Sequence, residues 1–389
     1  MNKQNPAPAP RRRQRLLKRW MLALVSLGLA AAAARLEFIW VISTKNGEFA
    51  FARYRFFEES AEHPRLRLLR QREKLDQVVA PGKTQFEKLV LLRKWVHGQW
   101  QSQDRPFYYP PWDALEILDL VRKHHNYGFC SQYAVVFTQA CLALGMHARY
   151  VDVGHFLSEV WSEELNDWVV MDPTNDLHYE RDGAPMDGRD LAGAAWRNTT
   201  EGIFKVSSDG SRAPVSGDGL AGWRHYKIIT RNNHLTDPIR LKNRFGVWRP
   251  LTVQEDYTRY PLVGRDKVVW EGAGLTWIPS DHIPPGEPAD IQLSDDSQDF
   301  HFAYNQTFIF LESKNAKTGL VKLKLLAEHA PEFQSFVINE QYSVQADGEV
   351  FLHLKPGLTT LSARVKTKFG WLGPESSIKI VFKRDWLRR

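Results

Sequence analysis

The sequence predicts an α+β domain followed by an all-β sandwich, and three observations lead there. The chain has 389 residues, more than one typical domain needs and enough for two buried cores. Apolar residues recur at helical spacing as far as Gly145, and short strand-like runs follow, an order that suits helices layered on a sheet. Beyond about residue 290 the apolar period changes to two.

Charge narrows the partners. The chain carries 52 basic and 45 acidic residues, a formal net charge of +7. Seven of the basic residues (Lys3, Arg11, Arg12, Arg13, Arg15, Lys18, Arg19) fall in residues 1–34, which contain no acidic residue. Without them 45 basic residues face 45 acidic ones, so net charge gives no support to a nucleic-acid partner. The first segment is a basic stretch, an apolar run over residues 20–34 and small residues at Ala31 to Ala34, which predicts a cleaved signal peptide. The second reading is an uncleaved membrane anchor through residues 20–42, because FIWVI (38–42) resumes the apolar run. Arg12-Arg13 only loosely resembles a twin-arginine signal. In either case the folded part is expected outside the cytoplasm, periplasmic or extracellular.

The next elements follow in order. Residues 48–57 (EFAFARYRFF) suggest a strand or a membrane-proximal segment, and 64–79 a helix with Pro64 in its first turn. A second helix spans 84–100, with Thr84 and Glu87 in capping-box spacing and Phe86, Leu89, Leu92 and Trp95 or Val96 as its buried stripe. After RPFYYPPW a third helix spans 113–123. The fourth runs from Cys130 to Gly145 and has almost no polar face, so it should be buried. Three strands are expected at 148–153, 156–161 and 168–171. Residues 179–285 read as an irregular continuation of this domain, and IPPGEP (283–288) as a linker. The alternating sets Val321/Leu323/Leu325, Val350/Leu352/Leu354, Leu361/Ala363/Val365 and Ile378/Ile380/Phe382 then predict a β-sandwich of immunoglobulin-like type. The expected boundaries are 1–34 for the export segment, 35–284 for the first domain with its core at 84–176, and 286–384 for the sandwich.

There are two cysteines, Cys130 and Cys141. Eleven residues apart on one helix, they would stand about 16 Å apart along its axis, too far for a disulfide. An exported chain with an unpaired thiol raises the question of what chemistry retains it. Cys130 lies where a helix N-terminus presents free N–H groups, a setting that favours an anionic sulfur. His155 and Asp172 each stand at the edge of an apparent strand. A thiol nucleophile needs these three residue types: an attacking sulfur, a base and a group to orient the base. Taken singly, each has a plainer reading: a small buried hydrophobe, a surface histidine and an Asp-Pro turn.

The combination GFCSQYAVVFTQACLALGMHARYV, HFLSEVW and DWVVMDPTN resembles the core of the transglutaminase-like superfamily. The resemblance covers residues 86–176, with EKLVLLRKWVHGQW similar to the helix that precedes that core. It implies a papain-like fold, helices packed on an antiparallel sheet, with Cys130 as nucleophile, His155 as base and Asp172 as its orienting partner. Gly145, Ala148, Arg149 and Glu159 also fall on the family pattern. Leu157 departs from it, standing where an aromatic residue is often found, which implies a different substrate side.

The activity implied is acyl transfer at amide bonds of protein or peptide in the cell envelope, with hydrolysis favoured over cross-linking. A non-catalytic scaffold or binding module on the same fold is the alternative. A thiol transferase acting on glycan-linked or small acyl amides is a third reading. The N–H of Cys130 is one candidate oxyanion donor, and Gln99, Trp100, Gln101 and Gln103 are the candidates for the second. Tyr108, Tyr109, Trp112, Trp161 and Trp168 are candidates for an acceptor cleft, packing being the plainer reading. His124, His125, Asp176 and His178 lie near the core, but without HExxH or CxxC spacing no catalytic metal or other cofactor is expected. Asn198 and Asn305 begin glycosylation sequons. The oligomeric state is not legible.

Overall fold

The structure is a computed structural model that describes residues 37–46, 60–102, 113–123, 128–229, 302–344 and 348–384, with short strands between 240 and 294. The export segment, the 48–57 segment, the loop 105–112 and the expected linker at 283–288 lie outside the described residues.

The first element departs from expectation. Residues 38–42, read as the resumption of an anchor and counted in the first domain, belong to strand β1 (Phe38–Lys45). It pairs antiparallel with the last strand of the chain. The physical reason is a period of two: Ile39 and Val41 turn into the sandwich core while Phe38, Trp40 and Ile42 face away. Among the described residues no helix is long and apolar enough to cross a membrane.

The helix expected at 64–79 is two helices, α1 (Pro64–Arg72) and α2 (Leu75–Val79). Lys74 takes a left-handed conformation (φ 52°) between them. In an unbroken helix Leu75 would point away from the face that carries Leu66 and Leu69. The break turns Leu75 and Val79 into the same core. Helix α3 (Gln85–His97) starts as predicted: Thr84 Oγ1 accepts the Glu87 N–H (3.1 Å) and Glu87 returns a carboxylate to the Thr84 N–H (3.3 Å). Helix α4 (Ala114–Lys123) follows, then α5 (Cys130–Ala143).

Helix α5 is the buried centre. Tyr133, Ala134, Val136, Phe137, Ala140 and Cys141 pack among α1, α3, α4 and the adjacent sheet. Burial of each large apolar side chain here contributes about 1.5–3 kcal/mol. Its few polar groups are used for registration: Thr138 and Ser158 hydroxyls pair at 2.9 Å, and Gln139 accepts the Ala114 N–H at 2.7 Å, satisfying a helix-start donor of α4. Gly145 closes the helix at φ +71°, and a Cβ there would meet the Phe369 ring.

The sheet beside α5 is antiparallel over β2 (Ala148–Asp152), β3 (Phe156–Ser162), β4 (Asp167–Asp172) and β5 (Leu177–Arg181). The described parts of 179–285 are more regular than expected. They add β6 (Ala184–Pro185), α6 (Gly188–Arg197), β7 (Ile203–Ser207), β8 (Arg212–Pro214), a 3-10 turn at Gly217–His225 and β9 (Lys227–Ile229). The short strands β10 (Arg240–Lys242) and β11 (Trp248–Pro250) pair with each other. Strands β12 (Lys267–Trp270), β13 (Leu275–Ile278) and β14 (Gln292–Ser294) extend the main sheet outward from β9.

The C-terminal strands form two sheets. One is β15 (Gln306–Asn315), β16 (Leu320–Glu328) and β19 (Glu349–His353). The other takes β17 (Phe333–Ile338), β18 (Tyr342–Val344), β20 (Gly357–Thr367) and β21 (Ser376–Lys383), with β1 at its edge. Val321, Leu323, Leu325, Leu361, Ala363, Val365, Ile378, Ile380 and Phe382 are buried between the sheets, as their alternation predicted.

The sandwich docks on the helical core at one end. The Trp371 indole donates to the Leu144 carbonyl (3.4 Å), and Glu332 accepts the Ala61 N–H (2.8 Å). Trp161 and Trp168 are buried against Phe302 and Tyr304, which is the packing role and not the cleft role. The Asn305 sequon is likewise overturned as an acceptor site, since Asn305 is buried and its amide donates to Glu163. Asn198 is exposed.

Candidate active site

The three residues singled out by the sequence converge at one end of α5. Cys130 is the first residue of that helix and is partly exposed, following Phe129 in extended conformation. Gln132 holds this turn by accepting the Phe129 N–H (2.9 Å). A glycine is required at 128, where a Cβ would lie 2.9 Å from the Gln132 Cβ and 3.0 Å from the Trp100 indole nitrogen. As a first-turn residue, Cys130 has an N–H with no partner inside its helix.

His155 precedes β3, in a turn where Gly154 (φ +80°) gives its N–H to Asp152 Oδ1. Its Nε2 bonds Asp172 Oδ2 at 3.0 Å, and the Cys130 thiol stands near enough to the ring to help raise its pKa. With Nε2 committed to Asp172, Nδ1 is the nitrogen left for sulfur. Asp172 ends β4 and is buried. Its Oδ1 accepts the Thr174 and Asn175 N–H groups (3.0 and 3.1 Å), and its Oδ2 also accepts the Asn175 amide (2.9 Å).

These contacts set the charges. Burial alone would lower the His155 pKa, but the Asp172 carboxylate and the nearby Cys130 sulfur outweigh it and push it up to about 10. Burial would raise the Asp172 carboxyl, yet His155 and Asn175 hold it below its ordinary value. The pair is therefore imidazolium and carboxylate at neutral pH.

A polar support underlies the site. Arg93 on α3, buried, pairs with Asp176 (2.9 Å) and contacts His178 Nδ1 (2.9 Å), whose Nε2 meets Glu180 (3.0 Å). Asp176 and His178 thus serve this network, and His124 and His125 lie outside the described residues. On the far side of β3, Glu159 receives the Arg149 guanidinium (2.6 Å), the Tyr226 hydroxyl (2.8 Å) and the Gly188 N–H (2.6 Å). Arg149 and Glu159 are therefore a buried structural pair that fixes β2 to β3.

Three sequence-based expectations change. Leu157 does not shape a substrate side, because it is buried among Val151, Val170 and Leu191 on the sheet face turned away from α5. Of the second oxyanion candidates, Trp100 donates its indole N–H to the Gly128 carbonyl (3.2 Å) and Gln99 donates to the Trp95 carbonyl (2.8 Å). Gln101 is exposed, and Gln103, Tyr108, Tyr109 and Trp112 lie outside the described residues. Sequence reasoning missed Asn175 and Arg93. The spacing of Asn175, three residues after Asp172 across a proline, is a turn signal that could have found it. Nothing in the local pattern distinguishes Arg93 from a solvated helix residue.

Residues 72–173 match the model of the Transglutaminase-like superfamily. No curated protein sequence matches the chain. Among solved structures, the crystal structure of the red sea bream transglutaminase is similar at 11% identity, over 84% of this chain and 76% of that chain, with a TM-score of 0.24. The matched segment holds Cys130, His155 and Asp172 in that order.

Proposed function

We propose that this chain is an exported thiol enzyme that transfers the acyl group of protein or peptide amides in the cell envelope to water. The observation that carries the reading is the imidazole of His155, bonded to buried Asp172 at 3.0 Å with the Cys130 thiol near enough to raise its pKa. In this reading the sulfur adds to the amide carbonyl and the Cys130 N–H receives the developing oxyanion. The imidazolium then gives its proton to the departing amine as the C–N bond breaks, leaving a thioester on Cys130 and a neutral imidazole. That imidazole takes a proton from water, whose oxygen attacks the thioester, and the carboxylic acid leaves as the sulfur regains its pairing with imidazolium. Asp172 fixes the ring throughout.

Hydrolysis is preferred to amine transfer because the His155 side chain is 32% exposed, so solvent water reaches the base. Export is supported by the basic and apolar composition of residues 1–34. The test uses the purified full chain with cell-envelope extract, followed by the intact mass of the protein. A trapped acyl group on Cys130 in the wild type, absent from Cys130→Ala, is the expected result. Equal labelling of both proteins by an iodoacetamide probe, together with unchanged amide cleavage by the variant, would overturn Cys130 as the nucleophile.

A further inference from the structure

The outer face of the five-stranded sheet is unusual at one end. Phe38 is 41% exposed, Trp40 64%, Ile42 56% and Leu358 61%. Three of them stand in adjoining rows: Phe38 pairs with Lys383, Trp40 with Val381, and Val381 with Leu358 on the next strand. Directly paired residues share a face, so Trp40, Val381 and Leu358 form one apolar line across three strands. Lys379, exposed on the same strand face, and Lys383, which lies 5.9 Å over the Phe38 ring, flank it. Exposed aromatic and aliphatic side chains gathered beside lysines mark a contact surface rather than ordinary solvent exposure.

The occupant is indicated by what precedes the strand. The apolar run 20–34, with its seven preceding or included basic residues, ends four residues before Phe38. Four residues span at most about 14 Å. Wherever that run is retained in a membrane, this end of the sheet is held within about that distance of the lipid surface. Tryptophan and lysine are the residues that suit such an interface, the ring at headgroup depth and the ammonium on anionic lipid.

We propose that the sheet end bearing Phe38, Trp40, Leu358, Lys379 and Lys383 rests on an anionic lipid bilayer. The docking of the helical core lies at the opposite end of β20, where Thr367 bonds Trp371 and Trp371 bonds Leu144. Nine residues of strand separate Leu358 from Thr367, about 30 Å. The sandwich then works as a spacer that holds the Cys130 domain off the membrane. The proposal needs the apolar run to be retained, and it does not depend on Cys130 being catalytic.

The test places an NBD fluorophore on Leu358→Cys or, as control, on Phe351→Cys, which is equally exposed on the other sheet. Both are made in the full-length Cys130→Ser protein, where the buried Cys141 stays silent. With phosphatidylglycerol-containing vesicles, emission at 358 should rise roughly twofold or more and be quenched by brominated lipid, while 351 stays unchanged. Combined Lys379→Glu and Lys383→Glu should cut the response at 358 by about fivefold or more. Flotation of the chain with no response at 358, or with equal responses at both sites, would overturn the proposal. So would a response that needs no lipid and grows with protein concentration, which would give the face to a second copy. Because the readout uses no turnover, its failure is distinct from failure of the proposed chemistry.

Discussion

Replacing Asp172 with Asn tests the proposed chemistry at its most constrained point. Asp172 accepts four hydrogen bonds, two at Oδ1 from the Thr174 and Asn175 N–H groups and two at Oδ2 from His155 Nε2 and the Asn175 amide. An Asn amide has one oxygen. If it stays on the turn, the new NH2 opposes His155 Nε2 and drives the ring proton to Nδ1, the nitrogen left for Cys130. If it flips, two backbone donors lose their acceptor. Either way the imidazolium loses a charged partner. A charge-assisted hydrogen bond contributes about 1.5–3 kcal/mol, so the ratio of imidazolium to imidazole at His155 should fall about 10- to 150-fold at any one pH. Starting from about 10, the ring then stays protonated at pH 6 but loses its proton earlier as the pH rises. The assay is the pH profile of Cys130 alkylation by iodoacetamide between about pH 6 and 10, read by intact mass. Cys141 is buried and its thiol pKa is pushed well up by that burial, so it contributes no signal. The expected result is a high-pH transition that moves down by about 1–2 pH units, with amide cleavage lowered by about 10³–10⁴. An unchanged profile would refute the coupling of Asp172 to the sulfur through His155.

Two further perturbations address the frame. Glu159→Gln leaves the Arg149 guanidinium buried without its counter-charge and should cost about 3–5 kcal/mol in urea unfolding, with a loss below about 1 kcal/mol counting against the pair. Burial raises the Glu163 carboxyl to about 7, against a partial opposing effect from His147 and the Trp161 and Asn305 donors. Between about pH 4.5 and 7 the folded chain therefore holds a proton at Glu163 that the unfolded chain releases, and stability falls as pH rises through that window. Asp187, raised to about 7 mainly by burial, adds a slope of the same sign. Glu163→Gln should shrink the difference in melting temperature between pH 5 and pH 8, and an identical difference in the variant would contradict the assignment.

Much of the first domain was legible because its signals are local. The capping box at Thr84 and Glu87, the unbroken apolar surface of α5 and the stop at Gly145 each specify an element within a few residues. The sandwich was legible for the same reason, since alternation along one strand states which face is buried. What failed was whatever depended on a distant partner. The split at Lys74 answers to where Leu75 must go, and the strand at Phe38–Lys45 exists because β21 offers it an edge more than 300 residues later in the chain. For Trp161 and Trp168 packing was the plainer reading, but the partners that bury them, Phe302 and Tyr304, come more than 130 residues later.

The sequence by itself determined the order Cys130, His155, Asp172, the element that carries each, and the reason a helix start suits a thiol. Tertiary structure alone decided that Asp172 is a four-bond acceptor steadied by Asn175, that Arg93 pairs with Asp176 behind it, and that the Gln99 and Trp100 side-chain donors go to the Trp95 and Gly128 carbonyls. The difference has a physical cause. Helix starts and strand alternation are set by neighbours along the chain, whereas hydrogen-bond partnership and burial are set by whichever groups the packed core brings within about 3 Å.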